Sequence, residues 1–420
     1  MITYNKIENF IELMFWGIRL RIPLSIGKIV IKHAPFIITL LDYIFPKFDD
    51  KIIFNSSPDY SDNAYAFYRY IKENYPDKYK CIWITKPERE DTVGDRSYRL
   101  YTLKGIYHIL TSKYIVSTHA NMFIYFIRTN RHVHLNLWHG MQLKTLGLNE
   151  KKPTKEIIKR YNILAKNSYM FSSSDLFKIS FIPSFGIDYS RVFITGQPRT
   201  DLIWSDEHKK ELEEMFNFGN YKKSVLYLPT YKEGNRYRKS QVKTKYNNIF
   251  YMSDYDKEDF INTIERENIL FIMKPHPFEE LMYKDIIETL PKSKNFKIVF
   301  KEDFERNDLN LYELLKYIDL LISDFSSVTI DYLILNRPII YLNNLSKEYL
   351  ENRGFVLEDN YEYIMPGAKA KSYKELISEI CNELKDDKYL NVRNSVMTLM
   401  HKYRDNKSCE RIYEVMKELK

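Results

Sequence analysis

Residues 311–341 read LYELLKYIDLLISDFSSVTIDYLILNRPIIY. The pattern predicts a helix over Leu311–Tyr317, a strand over Ile318–Ile322, a polar turn, a helix from about Val328 to Leu335, and a second strand. The strands are short apolar runs, while the helical stretches repeat apolar residues three and four apart. Asn336-Arg337-Pro338 ends the second helix, because proline lacks an amide hydrogen and restricts the residue before it. The turn Ser323-Asp324-Phe325-Ser326-Ser327 therefore joins a strand's carboxyl end to a helix's amino end. Two readings follow. Ser326 and Ser327 cap the helix and do nothing more. Or the free amides and the positive helix end form an anion site, at the sheet edge where open α/β folds bind ligands.

Outward from this unit the same alternation recurs. Lys51–Phe54, Cys81–Thr85, Tyr98–Thr102, Tyr114–Ser117, His132–Leu137, Met170–Ser172 and Val192–Thr195 read as strands, with helices between several of them. A second series is Val225–Leu228, Phe271–Met273, Phe296–Phe300, Asp319–Ile322 and Ile339–Leu342. Strands alternating with helices imply parallel βαβ units. The expected organisation is an α/β domain over 48–204, a charged helical linker over 205–223, a second α/β domain over 224–387 and helices over 388–420. The two halves would face a cleft, with a C-terminal helix able to cross back. Polar Tyr231–Asn248 reads as a mobile loop at that cleft.

Residues 1–47 differ from the rest. Phe10, Ile11, Leu13, Met14, Phe15, Trp16, Ile18 and Leu20 crowd together among Arg19, Arg21, Lys28 and Lys32. Apolar and basic residues with a tryptophan suggest an amphipathic helix pair over 8–46 lying on a membrane surface. No signal-peptide pattern and no uncharged apolar run of spanning length is present. The chain has 420 residues and a net charge of +8, which suits an anionic substrate or membrane and is too diffuse for nucleic acid. Three scattered cysteines point to a reducing, cytoplasmic compartment.

Several stretches carry candidate chemistry. Trp138-His139-Gly140-Met141-Gln142-Leu143-Lys144 follows a strand, and a neutral histidine there can take a proton from an attacking hydroxyl near pH 7. Lys274-Pro275-His276-Pro277 follows another, with two prolines fixing the backbone around the imidazole. Gly196-Gln197-Pro198-Arg199-Thr200-Asp201 and Leu228-Pro229-Thr230-Tyr231 also stand at strand exits. Arg353-Gly354-Phe355 and Pro366-Gly367 fall in the loop after Ile339–Leu342, where they could cover a nucleotide. Asp254-Tyr255-Asp256 has a metal-site spacing but precedes a helix and reads as a cap. His132 and His134 lack the further ligands a zinc site needs.

The ordered set WHGMQLKTLG, TGQPRTD, LYLPTY, KPHP, LISDFSSVTIDYLILNRPIIY and RGF with PG resembles the CDP-glycerol glycerophosphotransferase family of teichoic acid and capsule enzymes. The resemblance covers about residues 50–370. It implies a GT-B fold of two Rossmann-like domains, no cofactor and no metal. It also implies peripheral attachment to the cytoplasmic face of a membrane, and transfer of a polyol phosphate from CDP-glycerol or CDP-ribitol to a lipid-linked or polymeric acceptor. By resemblance His139 is the candidate base and His276 lies near the donor diphosphate. Ser326 and Ser327 match the diphosphate-binding turn and Asp331 an acidic family position. Gly140, Lys144, Arg199, Thr230, Lys274 and Arg353 complete the expected substrate contacts. Met141-Gln142 stand where the family commonly has Thr-Pro. Two other readings are a GT-B glycosyltransferase using a nucleotide sugar and a non-catalytic membrane scaffold.

Overall fold

The computed structural model describes residues 2–5, 10–15, 18–23, 36–85, 96–100, 102–119, 130–143, 145–150, 152–229, 248–277, 279–307, 309–324, 326–342 and 362–419. The chain divides into two compact units. The first comprises residues 1–139, 146–201 and 407–420, and the second 140–145 and 202–406.

The first unit holds a seven-stranded sheet. Its strands are β4 (Phe48–Asn55), β5 (Lys80–Thr85), β6 (Ser97–Arg99), β7 (Ser112–Ser117), β8 (Val133–Asn136), β9 (Ser168–Ser172) and β10 (Val192–Ile194). They are ordered β10-β9-β8-β7-β4-β5-β6 and every pair is parallel. Ile52, Phe54, Trp83, Val116 and Leu135 are buried, as expected of strands covered on both faces. Helices begin at capping side chains: Thr102, Thr154 and Ser174 each accept an amide hydrogen bond from the first turn they precede.

The second unit is built on six parallel strands. These are β11 (Lys223–Leu228), β12 (Ile269–Met273), β13 (Phe296–Ile298), β14 (Leu320–Ser323), β15 (Ile339–Leu342) and β16 (Ala368–Ala370), in the order β13-β12-β11-β14-β15-β16. The short edge strand β16 was not anticipated, because three residues reading Ala-Lys-Ala give no apolar run. Gly367 lies before it, and a Cβ there would stand 2.0 Å from the carbonyl oxygen of Ile339. That residue opens β15, so Pro366-Gly367 sit at the amino end of the sheet. They serve a close backbone approach at the edge opposite the strand exits.

Two further differences from the sequence reading stand out. Residues 2–5, 10–15 and 18–23 are antiparallel strands β1 (Ile2–Asn5), β2 (Phe10–Phe15) and β3 (Ile18–Pro23) where helix was expected. Ile18-Arg-Leu-Arg-Ile alternates apolar and basic residues at the period of a strand, and two residues separate β2 from β3, a hairpin spacing. Only 36–44 of the expected pair is helical among the described residues. Residues 205–223, expected as a linker, fold into the second unit through a helix at Lys209–Phe216 that buries Leu212 and Phe216. The helix Ser408–Glu418 packs into the first unit's core through Cys409, Ile412, Tyr413 and Met416.

Candidate active site

In the first unit the strand order reverses beside β4: β5 and β6 lie to one side, β7 to β10 to the other. The switch point, where open α/β sheets bind ligands, therefore falls between the exits of β4 and β7. Strand β7 runs into Thr118-His119, and its neighbour β8 into Trp138-His139-Gly140. His139 is half-buried, with Nδ1 2.9 Å from the carbonyl oxygen of Thr118. A carbonyl only accepts, so Nδ1 carries the hydrogen and the neutral ring keeps its lone pair on Nε2. That is the tautomer a general base at Nε2 requires.

The turn itself is braced from several directions. Trp138 has φ 53° and Gly140 φ 138°, both in the left-handed region. The Trp138 ring meets the Phe185 ring edge to face at 4.7 Å. Asn63 is fully buried; its Nδ2 donates to the carbonyls of Leu137 (3.1 Å) and Trp138 (2.9 Å) and to Gln197 Oε1 (2.7 Å). Its Oδ1 accepts from the Arg199 amide at 3.0 Å. Arg199 Nη1 donates to the His139 carbonyl at 2.8 Å and to Asp62 Oδ1 at 3.0 Å. Arg199 is 5% exposed and holds the histidine turn. Gln197 shares this role: Nε2 also donates to the Phe171 carbonyl.

In the second unit the order reverses between β11 and β14. The turn after β14, including Ser326 and Ser327, leaves the sheet at that switch point. Lys274-Pro275-His276-Pro277 leaves β12, on the far side of β11. Neighbouring strands lie about 4.8 Å apart, so the two exits are about 10 Å from each other. Tyr227 of β11 lies between them. Burial raises its phenol well above the ordinary value, and Asp324 from one loop and Glu279 from the other reinforce the rise. His276 and Lys274 are half-buried. Burial lowers the Lys274 ammonium, whose Nζ stands 5.3 Å from the centre of the Phe304 ring.

Ser326 and Ser327 do not cap as expected. The helix is short, Val328–Tyr332, and continues as a tighter turn over Leu333–Leu335. Ser327 is already helical (φ −64°, ψ −17°) and its side chain makes no capping bond. Asn336 in the left-handed conformation ends the segment. Asp331 is fully buried and accepts from the Tyr312 hydroxyl at 2.8 Å, beneath the turn. His401 Nε2 donates to the Ile330 carbonyl at 2.7 Å.

Among the other expectations, Lys144, Thr230, Arg353 and most of the loop 231–248 lie outside the described residues. Asp256 caps the helix Lys257–Arg266, and Asp254 accepts from the amides of Tyr373 and Lys374 at the start of the helix Tyr373–Glu383. His134 is buried between the hydroxyls of Ser117 and Ser168, and His132 pairs with Asp42. The one group of metal-ligand type gathered among the described residues is Glu207, His208 and Glu313, and there His208 Nδ1 is hydrogen-bonded to Glu313 at 2.9 Å. Sequence reasoning missed His119, although a histidine two residues beyond a strand is the same signal that marked His139.

Solved structures define the class of fold. The wall teichoic acid polymerase TagF superposes with a TM-score of 0.72 at 22% identity, covering 94% of this chain and 95% of that one. A putative UDP-N-acetylglucosamine 2-epimerase from Listeria monocytogenes gives 0.51 at 14% identity, over 88% and 96%. The family model for CDP-glycerol:poly(glycerophosphate) glycerophosphotransferase matches residues 37–418, and the chain belongs to that family. A teichoic acid poly(glycerol phosphate) polymerase of Bacillus spizizenii is 27% identical over 386 residues, 84% of this chain and 90% of that protein. A teichoic acid glycerol-phosphate primase of Bacillus subtilis is 28% identical over 289 residues, 67% and 68% respectively. The ribitol-phosphate polymerase TarL of Staphylococcus aureus is 27% identical over 370 residues, 85% and 60%.

Proposed function

We propose that the protein transfers glycerol phosphate, or another polyol phosphate, from a CDP-linked donor to a hydroxyl of a lipid-linked or polymeric acceptor in teichoic acid-like or capsular polymer synthesis. The hydrogen bond from His139 Nδ1 to Thr118 carries this reading, because it fixes the tautomer that can accept the hydroxyl proton at Nε2. The acceptor oxygen bonds to the β-phosphorus as its proton passes to Nε2. The bond from that phosphorus to the CMP oxygen breaks, and CMP leaves with the electron pair. In the second unit His276 and Lys274 offset the charge on the departing phosphate, and the Ser326-Ser327 turn holds the diphosphate. Membership of a glycerophosphotransferase family supports phosphorus, rather than an anomeric carbon, as the centre attacked.

The test is incubation with CDP-glycerol or CDP-ribitol and an acceptor extract, followed by CMP release and product mass. His139→Ala and His276→Ala are each expected to lower kcat roughly 1000-fold with folding intact. Turnover of UDP- or GDP-sugars with no CMP from either CDP-polyol would overturn the reading.

The same reading places the enzyme at the cytoplasmic face of a membrane. Helix 36–44 supports it: Phe36 (73%), Ile37 (55%), Leu40 (54%) and Ile44 (68%) are exposed on one side. No helix among the described residues is long and apolar enough to cross a membrane. Ile37→Glu with Leu40→Glu is expected to abolish co-flotation with anionic vesicles; unchanged flotation sinks this face as the contact.

A further inference from the structure

His119 and His139 leave the adjacent parallel strands β7 and β8, the first of which flanks the first unit's switch point. Their imidazoles are stacked, with ring centres 4.1 Å apart and planes 8° from parallel. Thr118 touches both rings: its carbonyl accepts from His139 Nδ1, and its hydroxyl lies 2.8 Å from His119 Nδ1. The Trp138 ring stands 4.3 Å from His139 on another side. A hydrogen bond to a carbonyl holds Nδ1 in place but resists rocking about the bond only weakly. A flat ring against its face removes this freedom and fixes the direction of the Nε2 lone pair. When His139 takes up a proton, its charge meets the π-face of a neighbouring ring.

We infer that His119 is a positioning residue for His139, acting through ring stacking and without contact to the reacting atoms. This rests on the reading of His139 as the base. Two variants separate stacking from other roles. His119→Ala removes the ring, and His119→Phe keeps a flat ring while deleting both nitrogens. The expected result for His119→Ala is a kcat lower by roughly tenfold, with KM for CDP-glycerol within about twofold of wild type. His119→Phe is expected to recover most of the loss. Nitrogen-15 NMR of histidine-labelled protein supplies a readout free of turnover. His139 is expected to keep the Nδ1–H tautomer in all three proteins, with sharp ring-nitrogen signals in the wild type and His119→Phe and exchange-broadened ones in His119→Ala. Wild-type kcat in His119→Ala, or equal loss in the Ala and Phe variants, overturns the inference. So does an unchanged His139 line width in the Ala variant. A wild-type enzyme that releases no CMP overturns the proposed reaction instead, and the NMR arm still decides the positioning.

Discussion

The two units solve the same geometric problem with opposite materials. Each is a parallel sheet with a turn of the proposed site leaving near its switch point. The first is polar inside: His134, Asn136, Ser117, Ser168 and Ser172 are buried in or at the ends of its central strands, and Asn63 and Arg199 lock the histidine turn by side-chain hydrogen bonds. The second sheet is mostly apolar, with Ile269–Met273 and Leu320–Ile322 enclosed, and its serine turn is held by the backbone bond from Ser326 N to the Asp324 carbonyl and by the Thr329 hydroxyl, which donates to the Ser326 carbonyl. A base must point one lone pair along one line, and a hydrogen-bonded frame does that. A turn that offers hydroxyls and amides to a diphosphate needs only a firm floor, and apolar packing supplies it.

Breaking the polar frame should cost most. Asn63→Leu leaves two carbonyls, Gln197 Oε1 and the Arg199 amide without their partner. The expected loss is about 3 kcal/mol in denaturant unfolding, together with lower kcat. A loss under about 1 kcal/mol would show that the frame is slack. The next effect is on pH dependence. Burial pushes the His134 imidazole down to about 3, from an ordinary 6.5. Above pH 6.5 both folded and unfolded forms are neutral and its contribution is whole. Below that the unfolded chain binds a proton that the folded one refuses until near pH 3, so stability falls by up to about 1.4 kcal/mol per pH unit. Urea unfolding at pH 7.5 and 5.5 should show this slope, and His134→Gln should flatten it. The smallest effect belongs to the second unit. Ser326→Ala and Ser327→Ala remove hydroxyls that cap nothing, so melting should shift by less than about 0.5 kcal/mol equivalent while KM for the donor rises several-fold. Destabilisation comparable to Asn63→Leu would erase the contrast between the units.

The parallel sheets were legible because buried strands read as unbroken apolar runs, as in Ile52–Phe54 and Phe271–Met273. The positions of His139, His276 and the serine turn at strand exits followed from the same runs. What a residue does there was less legible. Arg199 and a substrate-binding arginine look alike in sequence, because only packing shows that its guanidinium is buried against Asp62 and the His139 carbonyl. Serines before a helix look like caps, yet Ser327 had already entered the helical conformation. Crowded apolar residues over 10–20 look like a helix face in sequence, although Ile18–Ile22 alternates like a strand. His119 gained meaning only from the ring beside it, and stacking between strands leaves no mark in either strand's sequence.

The helix Ser408–Glu418 gives the fold a temporal order. Its first amides, Ser408 and Cys409, donate to the buried carboxylate of Asp201, at the point where the chain leaves the first unit. Burial raises that carboxyl to about 6, against the pull of those same bonds. Some two hundred residues of the second unit are made between the two partners. During synthesis the second unit can finish folding while the first still lacks a wall of its core, formed by Ile412, Tyr413 and Met416. The polar frame around His139 is thus completed last, and a chain interrupted before residue 408 would carry a finished second unit beside an unfinished first.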